Sequence, residues 1–218
     1  MDSFFKNVKD SENLNNQKEK TFLTINIILV SIAEVGKTSF LLRIFFEGYK
    51  EYMENDSHLH ATISPDFATL KLNYRDKFIN FIIWDTPQVN THYFYYSSNL
   101  FRKAEMIFLF YDSSYKYSLD SIKEILDPIY WYCKSKPIFA LIRNKYDKNG
   151  KIEISDEEAL EFADKKNMLF FHLSLHEKNE TGVKELFETI LNEYFIRKEK
   201  EKNEDEDEFE DEDEDEND

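Results

Sequence analysis

The sequence predicts an α/β fold in which a mostly parallel, six-stranded sheet with one antiparallel hairpin carries helices on both faces. Short apolar runs rich in β-forming residues alternate along the chain with helical stretches, as in consecutive βαβ units. A hydrophobic content of 41%, with 20 Phe and 13 Tyr, supplies enough apolar surface for a folded core. Folds of this class bind ligands beyond the carboxyl ends of their strands, so the functional residues are expected there.

The strands are assigned from runs of apolar residues. The run at 66–74 alternates apolar and polar residues, and the run at 78–84 is more continuously apolar. The short turn at 75–77 between them predicts a hairpin. The six predicted strands are residues 22–30, 66–74, 78–84, 106–111, 137–143 and 168–172.

Helices are predicted between these strands. The apolar stretch after Thr38 follows the first strand and its loop, and Ser155 with Glu158 fits a capping box that begins a helix. From Val183 to Phe195, apolar residues recur at spacings of three and four, which predicts one apolar stripe on a last helix.

The net charge of −16 belongs to the C-terminal segment. Thirteen of the 44 acidic residues lie at 203–218, which leaves 31 acidic against 28 basic residues elsewhere. We therefore predict a disordered N-terminal arm at 1–20, a globular domain at 21–198 and a disordered acidic tail at 199–218. The tail is interpreted as a solubilising extension, or alternatively as a docking strip for a basic partner or a screen against membranes and nucleic acid. No nucleic-acid partner is expected.

Several features limit the compartment and the anchoring of the chain. A single cysteine, Cys133, excludes an intramolecular disulfide. No apolar run approaches the roughly 18 residues of a membrane span, and the N-terminus is too polar for a signal peptide. Asp2 excludes N-myristoylation, and no cysteine lies near the C-terminus for prenylation. We expect a cytoplasmic monomer without a lipid anchor of its own.

A phosphate-binding loop is predicted at residues 31–38. Its sequence, SIAEVGKT, fits the pattern G-x-x-x-x-G-K-[ST] except that Ser31 replaces the first glycine, where a side chain could strain the turn. Amides at the helix start would face an anion, Lys37 would contact the terminal phosphates, and the Thr38 hydroxyl would ligate Mg²⁺. The residues predicted to bind the phosphates are Glu34, Val35, Gly36, Lys37, Thr38 and Ser39.

Two further segments follow predicted strands. Asp85 ends the strand at 78–84 and suits a water-mediated contact to Mg²⁺, although a strand-end aspartate can equally cap a loop. Asn144, Lys145 and Asp147 follow the strand at 137–143. The Asp147 carboxylate can accept two hydrogen bonds from the N1–H and the exocyclic amine of guanine, a pair that adenine lacks. The Lys145 stem could lie along the base.

The order of these motifs resembles that of the Ras-superfamily small GTPases, with a Rab-like character, over about residues 21–198. The quoted segments are VGKTS, TISPDF from Thr62, WDT, NKYD and SLH from Ser174. The resemblance implies a P-loop small-GTPase fold that binds GTP or GDP with Mg²⁺, and effector and GTPase-activating protein partners. It also implies that Thr62 supplies a hydroxyl to Mg²⁺, that Tyr49 packs against the base, and that Ser174, Leu175 and His176 support the guanine carbonyl.

Within the superfamily, the segments at 107–112, 118–124 and 144–147 are similar to the fungal septation-initiation and mitotic-exit GTPases. That subfamily also lacks a lipidated C-terminal cysteine. The resemblance implies a role in cell division or signalling, with recruitment to the spindle pole or division apparatus by a protein partner.

The sequence departs from the family pattern at three places. The second switch normally begins D-x-x-G-Q, but here Gln88 replaces the glycine and Val89 replaces the catalytic glutamine. Gln88 would take the place of the catalytic glutamine, and act together with Thr62, only if this segment were one residue shorter than the family pattern. Slow hydrolysis is therefore predicted. Glu34 places a carboxylate in the phosphate loop and should weaken nucleotide affinity. The first switch loop is about six residues longer than usual, and its His58 and His60 suggest a solvated loop more than a metal site.

Three functions are compatible with these motifs. The first is a guanine-nucleotide switch with slow, partner-assisted hydrolysis. The second is a pseudoGTPase scaffold that is locked in one nucleotide state or empty, which the degraded second switch favours. The third is an adenine-nucleotide phosphotransferase, against which Asp147 argues.

Overall fold

The computed structural model describes residues 23–32, 34–45, 62–88, 99–144, 152–173 and 181–215 of the 218-residue chain. The predicted N-terminal arm at 1–20 lies outside these residues. The elements are, in chain order, β1 (Leu23–Val30), α1 (Lys37–Phe45), β2 (Asp66–Tyr74), β3 (Lys77–Asp85), β4 (Met106–Asp112), α2 (Lys116–Tyr132), β5 (Ile138–Asn144), α3 (Asp156–Lys165), β6 (Leu169–His172) and α4 (Thr181–Asp215).

The strands form one six-stranded sheet in the order β2-β3-β1-β4-β5-β6. The β2–β3 pair is antiparallel, and every other neighbouring pair is parallel. The predicted fold class is confirmed, since this is a mostly parallel sheet with one hairpin. The order also brings the carboxyl ends of β3, β1, β4 and β5 to one edge in succession.

The hairpin turn between β2 and β3 has a conformation that its residue types do not predict. Arg75 and Asp76 have φ angles of 45° and 64°. A two-residue turn with both central residues at positive φ matches the right-handed twist of the strands it joins. Asn-Gly or Asp-Gly is the usual signal for this turn, and neither is present.

Helices cover the sheet on both faces. All seven residues of β4 and all seven of β5 are buried, as is expected of central parallel strands. On one face, Leu109 and Leu141 join a core cluster with Ile122 of α2 and Ala159 of α3. On the other face, Phe40 of α1 packs on two β4 rings, with centroid distances of 6.1 and 5.3 Å to Phe108 and Phe110.

The predicted start of α3 is present in the structure. Ser155 precedes the first helical residue, and its hydroxyl accepts a hydrogen bond from the Glu158 amide at 3.2 Å. This bond satisfies one of the amides that a helix start leaves without an intrahelical partner. Three acidic residues in the first turn add a favourable interaction with the helix dipole.

Two compact units divide the chain, residues 1–182 and 183–218. The second consists largely of α4, whose apolar residues at spacings of three and four are buried: Leu186, Phe187, Ile190, Leu191, Tyr194 and Phe195. The helix continues to Asp215, through most of the segment that the sequence predicts to be disordered. Glutamate and lysine are good helix formers, and Arg197 and Lys198 pair with Glu193 and Glu201, so α4 is supported beyond its apolar stripe.

Among the described residues, no helix combines the length and the apolar composition needed to cross a membrane.

Candidate functional site

The candidate site lies at the carboxyl edge of the sheet. The loop at 31–36 follows β1, Asp85 is the last residue of β3, and Asn144 is the last residue of β5. Because β1 is the neighbour of both β3 and β4, and β5 follows β4, these chain ends lie close together. This edge is the usual ligand position in parallel α/β sheets.

Two of the described residues of the phosphate loop are in the left-handed region. Gly36 has a φ of 108° and Glu34 a φ of 62°. The conformation suits glycine, whereas a residue with a Cβ atom loses roughly 1–2 kcal/mol there. Ser31 is not among the residues with positive φ. The strain expected at Ser31 was therefore wrongly placed, since it falls on Glu34, whose side chain is exposed.

Lys37 is held inside this loop. Its Nζ atom donates to Ser31 Oγ at 2.8 Å and lies 3.4 Å from the Ser31 carbonyl oxygen and 3.5 Å from that of Ile32. Ser31 Oγ in turn donates to the Ile32 carbonyl at 2.6 Å, which leaves its lone pairs for the ammonium group. Burial lowers the pKa of Lys37 to about 8, against the opposing effect of the Asp85 charge.

Two hydroxyl groups converge on the Asp85 carboxylate. Thr38 Oγ1 donates to Asp85 Oδ2 at 2.6 Å, and Thr62 Oγ1 donates to the same oxygen at 3.3 Å. The two threonine hydroxyls are 3.2 Å apart. Asp85 Oδ1 is buried, and within the described parts of the chain it has no hydrogen-bond partner. Burial raises the pKa of Asp85, and the Thr38 hydrogen bond and the Lys37 charge partly oppose the rise.

These three side chains fit a magnesium ion. Mg²⁺ prefers oxygen ligands and is commonly held by one or two protein groups together with phosphates. A buried carboxylate with one unpaired oxygen, flanked by two hydroxyls, offers such a donor set, and a nearby dication would offset the cost of burying its charge. Among the described residues there is no cluster of three or more His, Cys, Asp or Glu side chains that could hold a metal ion.

Asn144 connects the loop to the sheet, and Thr86 connects β3 to β1 beside the loop; the sequence did not predict either bond. Asn144 Nδ2 donates to the Val35 carbonyl at 2.6 Å, and Asn144 Oδ1 is buried with no hydrogen-bond partner among the residues that the structure describes. Thr86 Oγ1 donates to the Leu29 carbonyl at 2.6 Å and so fixes the end of β3 to β1. Both residues stand at strand ends beside the loop, which is the sequence signal that could have suggested these bonds.

The structure brings together Lys37, Thr38, Thr62 and Asp85, and it links Val35 to Asn144. Ser39 is half-buried in α1, and Gln88 is exposed just after Pro87. Other predicted site residues lie outside the described residues: Tyr49, His58, His60, Val89, Lys145, Asp147, Ser174, Leu175 and His176.

A phosphate-binding loop with a buried lysine, at the carboxyl edge of a mostly parallel sheet, defines a P-loop nucleotide-binding protein. Comparison with known families makes this more specific. The model of the Ras family matches residues 26–195, and the chain belongs to this family.

Curated relatives agree with that membership. The chain is 28% identical over 171 residues to the Ras-related protein Rab-18-B of Danio rerio, covering 78% of each chain. It is 30% identical over 177 residues to the Ras-related protein RABA4d of Arabidopsis thaliana, covering 81% of this chain and 76% of the relative. It is also 28% identical over 178 residues to the Ras-related protein Rab-18 of Lymnaea stagnalis, covering 81% and 83%. The chain is thus a Rab-like small GTPase of the Ras superfamily, a class of GTP-binding switch proteins.

Proposed function

We propose that this small GTPase binds GTP with Mg²⁺ at the site formed by Lys37, Thr38, Thr62 and Asp85, and that it hydrolyses GTP slowly unless a partner protein assists. The observation that carries the proposal is the convergence of the Thr38 and Thr62 hydroxyls on Asp85, whose second carboxylate oxygen is buried and has no partner in the described part of the chain. Membership of the Ras family supports the nucleotide, and the donor set supports the metal.

The roles of these residues follow from their chemistry. Lys37 is a buried cation in the phosphate loop and would pair with phosphate oxygens. Thr38 and Thr62 would hold Mg²⁺ through their hydroxyls, with Asp85 acting directly or through water. When bound, Mg²⁺ neutralises charge on the phosphates. Thr62 lies 24 residues after Thr38, so its contact joins a separate segment to the phosphate loop. Order in that segment would depend on the nucleotide, which is how such switches signal.

Base selection is proposed on the sequence motif alone. Asp147 would accept the two hydrogen bonds of guanine, with Lys145, Tyr49 and Ser174 around the base. Asn144 supports this assignment indirectly, because its bond to Val35 holds the phosphate loop against the end of β5, from which the motif continues. Replacing Asp147 with Asn should shift the preference from guanine to xanthine nucleotides, and an unchanged preference would refute the role.

Slow hydrolysis is proposed from the segment after Asp85. Pro87 has no amide N–H to offer a terminal phosphate, and Gln88 is exposed at the point where the family has a glycine. Val89 would stand at the position of the glutamine that orients the attacking water, and valine cannot make that hydrogen bond. A GTPase-activating protein would then supply the missing group.

The decisive experiment identifies the nucleotide that the chain carries. The full chain is purified with Mg²⁺ present, denatured and analysed by chromatography. Recovery of GTP or GDP supports the switch, and a large share of unhydrolysed GTP supports slow turnover. If neither nucleotide is recovered and neither binds when added with Mg²⁺, the switch is refuted.

A pseudoGTPase scaffold is the second candidate. Two features of the phosphate loop favour it: Glu34 adds a carboxylate in a strained conformation, and Ser31 already holds the Lys37 ammonium group. The same purification separates the candidates, since a scaffold would bind neither nucleotide or would keep one that does not exchange with added GDP over hours.

A role in cell division, with recruitment to the spindle pole or division apparatus, remains a proposal based on the segments at 107–112, 118–124 and 144–147. Imaging of the tagged full chain through the cell cycle tests it. Uniform cytoplasmic fluorescence at every stage would contradict it.

A further inference from the structure

Arg143 is a buried cation one residue before the end of β5. Its side chain is only 4% exposed. Successive residues of a strand point to opposite faces of the sheet. Asn144, the next residue, donates to the phosphate loop at Val35, so Arg143 points to the other face. The Arg143 charge therefore serves a purpose other than contact with the phosphate loop.

The guanidinium group of Arg143 pairs with Asp156, the first residue of α3. Arg143 Nη1 donates to Asp156 Oδ1. A hydrogen bond between two charged groups is stronger than one between neutral groups. The same carboxylate oxygen lies 3.8 Å from Nε2 of His172, and His172 is the partner of Arg143 in the β5–β6 register. One carboxylate thus borders the ends of two strands.

The start of α3, which carries this carboxylate, is itself held by hydrogen bonds. The Ser113 carbonyl, just beyond β4, accepts from the Glu153 and Ile154 amides at 2.9 and 3.1 Å. The Ile154 side chain is fully buried, and the Ser155 hydroxyl caps the helix. Asp156 therefore provides a fixed point against which the Arg143 side chain is held.

The Arg143–Asp156 ion pair joins the two ends of one chain segment. Residues 144–155 lie between the pair and include Lys145 and Asp147 of the motif that follows β5. Fixing the two ends of a loop reduces the conformations open to the residues between them. A carboxylate that must meet two donors of one base is sensitive to small displacements, because hydrogen bonds weaken steeply with distance and angle.

A second carboxylate of the same helix turn makes ion pairs that do not involve this segment. Glu158 pairs with Lys116 and Lys123 of α2, and it links α3 to that helix. The side chains of Glu158 and Asp156 are similarly exposed, at 35% and 43%. Glu158 therefore offers a matched control for the loss of a carboxylate near the start of α3.

We propose that Asp156 is a positioning residue for the guanine base: its ion pair with Arg143 fixes both ends of the segment 144–155 and so sets the place of Asp147. The inference rests on the proposed function, in which Asp147 accepts two hydrogen bonds from guanine. Asp156 acts through Arg143 and the chain between them, and it decides how well the base is selected.

The test compares GDP with inosine diphosphate, IDP, whose base lacks the exocyclic amine of guanine. Calorimetric titration of the nucleotide-stripped full chain in Mg²⁺ gives the Kd of each. The phosphates, ribose and metal are the same in both ligands, so the ratio of the two Kd values reports the contact of Asp147 with the amine. General destabilisation of the fold would weaken both ligands together and leave the ratio unchanged.

The original chain should prefer GDP by about tenfold or more, since the bond from the amine goes to a charged acceptor. Asp156→Asn should lower this preference by roughly threefold or more, because the buried Arg143 charge is then drawn toward other acceptors. Asp156→Ala repeats the test with a good helix former if the Asn variant is unstable. Glu158→Gln should leave the preference unchanged, and denaturant unfolding verifies that each variant is folded.

A double-mutant cycle separates the ion pair from other effects of the two residues. Arg143→Met keeps an unbranched side chain and removes the charge, so it should lower the preference for GDP as Asp156→Asn does. Combining the two substitutions should add little, because both remove the same pair.

Three results would overturn the inference: a full preference for GDP in the Asp156 variants, an equal loss of preference in Glu158→Gln, or additive losses in the double mutant. If the original chain binds GDP and IDP equally, base recognition by Asp147 fails, and the inference fails with it. If the original chain prefers GDP and Asp156→Asn keeps that preference, the inference alone fails and the proposed GTP site is unaffected.

Discussion

Replacing Ser31 with Ala should raise the affinity of the protein for GTP. Ser31 is fully buried, and its hydroxyl is the shortest contact of the Lys37 ammonium group, at 2.8 Å. The two carbonyl contacts of Lys37 are longer, at 3.4 and 3.5 Å. A phosphate oxygen that approaches Lys37 competes with the hydroxyl for an N–H group. The substitution removes the competitor and leaves the backbone and the charge in place.

The size of the effect follows from the kind of bond. A hydrogen bond to a charged group contributes about 1.5–3 kcal/mol to stability. If GTP binding breaks the bond completely, Ser31→Ala lowers the Kd for GTP by roughly ten- to hundredfold. The same energy should be lost from the stability of nucleotide-stripped protein, because Lys37 then lacks its nearest acceptor. The gain in binding free energy and the loss in unfolding free energy should therefore agree.

The assay measures both quantities on the same preparations. The dissociation and association rate constants of a fluorescent GTP analogue give its Kd. Denaturant unfolding of nucleotide-stripped protein gives the free energy of unfolding. Ser31→Gly repeats the test with the glycine that the phosphate-loop pattern has at this position. Ser135→Ala is the matched control, since its hydroxyl donates to the Ala104 carbonyl at 3.1 Å, away from the loop. A Kd within twofold of the original chain in both Ser31 variants would refute the competition.

Three further predictions concern Glu34, Asp85 and Cys133. Glu34→Gly should stabilise the chain by about 1 kcal/mol in denaturant unfolding, because it relieves the strain of the φ of 62°, and it should also slow GTP dissociation. Glu34→Gln should slow GTP dissociation without stabilising the chain. Equal stability of the original chain and both variants would contradict the strain at Glu34. Asp85→Asn should weaken Mg²⁺-dependent GTP binding at least tenfold. The nucleotide-stripped variant should be as stable as the original chain or more stable, because burial raises the pKa of Asp85 and so disfavours its charge. GTP titration with and without EDTA measures the effect, and a Kd unaffected by the substitution would count against the metal role. Burial raises the pKa of Cys133 from 9.0 to about 11, so alkylation by iodoacetamide at pH 8 should be about 100-fold slower than for a free thiol. Stability should fall as pH rises from 9 to 11, because the folded chain keeps a proton that the unfolded chain releases. Alkylation as fast as that of a free thiol would show that the Cys133 thiol is open to solvent.

The strands and the phosphate loop could be predicted because their signals are local. The runs at 106–111 and 137–143 are apolar throughout, and β4 and β5 were found within one residue of them. Asp85 and Asn144 end strands in the sequence pattern, and parallel topology then brings them to one edge. Hydrophobic pattern and chain order thus determine where the site lies.

The contacts inside the site could not be predicted, because they depend on backbone conformation. The pattern marks Ser31 as a lost glycine, but only the geometry shows that its φ is ordinary and that its hydroxyl contacts Lys37. The strained residue is Glu34, which the sequence marked for its charge alone. The turn at Arg75 and Asp76 is a similar case, since its left-handed residues lack the usual glycine.

Ser31 and Glu34 act on nucleotide binding by separate physical routes, and a double-mutant cycle can show it. Ser31 competes for the Lys37 ammonium group, whereas Glu34 adds strain and negative charge from an exposed position. Ser31 Oγ is bonded to Lys37 and Ile32, and Glu34 shares neither partner. Energetically independent substitutions couple by less than about 0.5 kcal/mol, so if the two routes are separate, the two gains in GTP binding free energy add in Ser31→Ala/Glu34→Gly. A larger coupling energy would mean that Glu34 sets the position of Lys37. The loop would then act as one unit, and a single conformational change would limit its affinity for GTP.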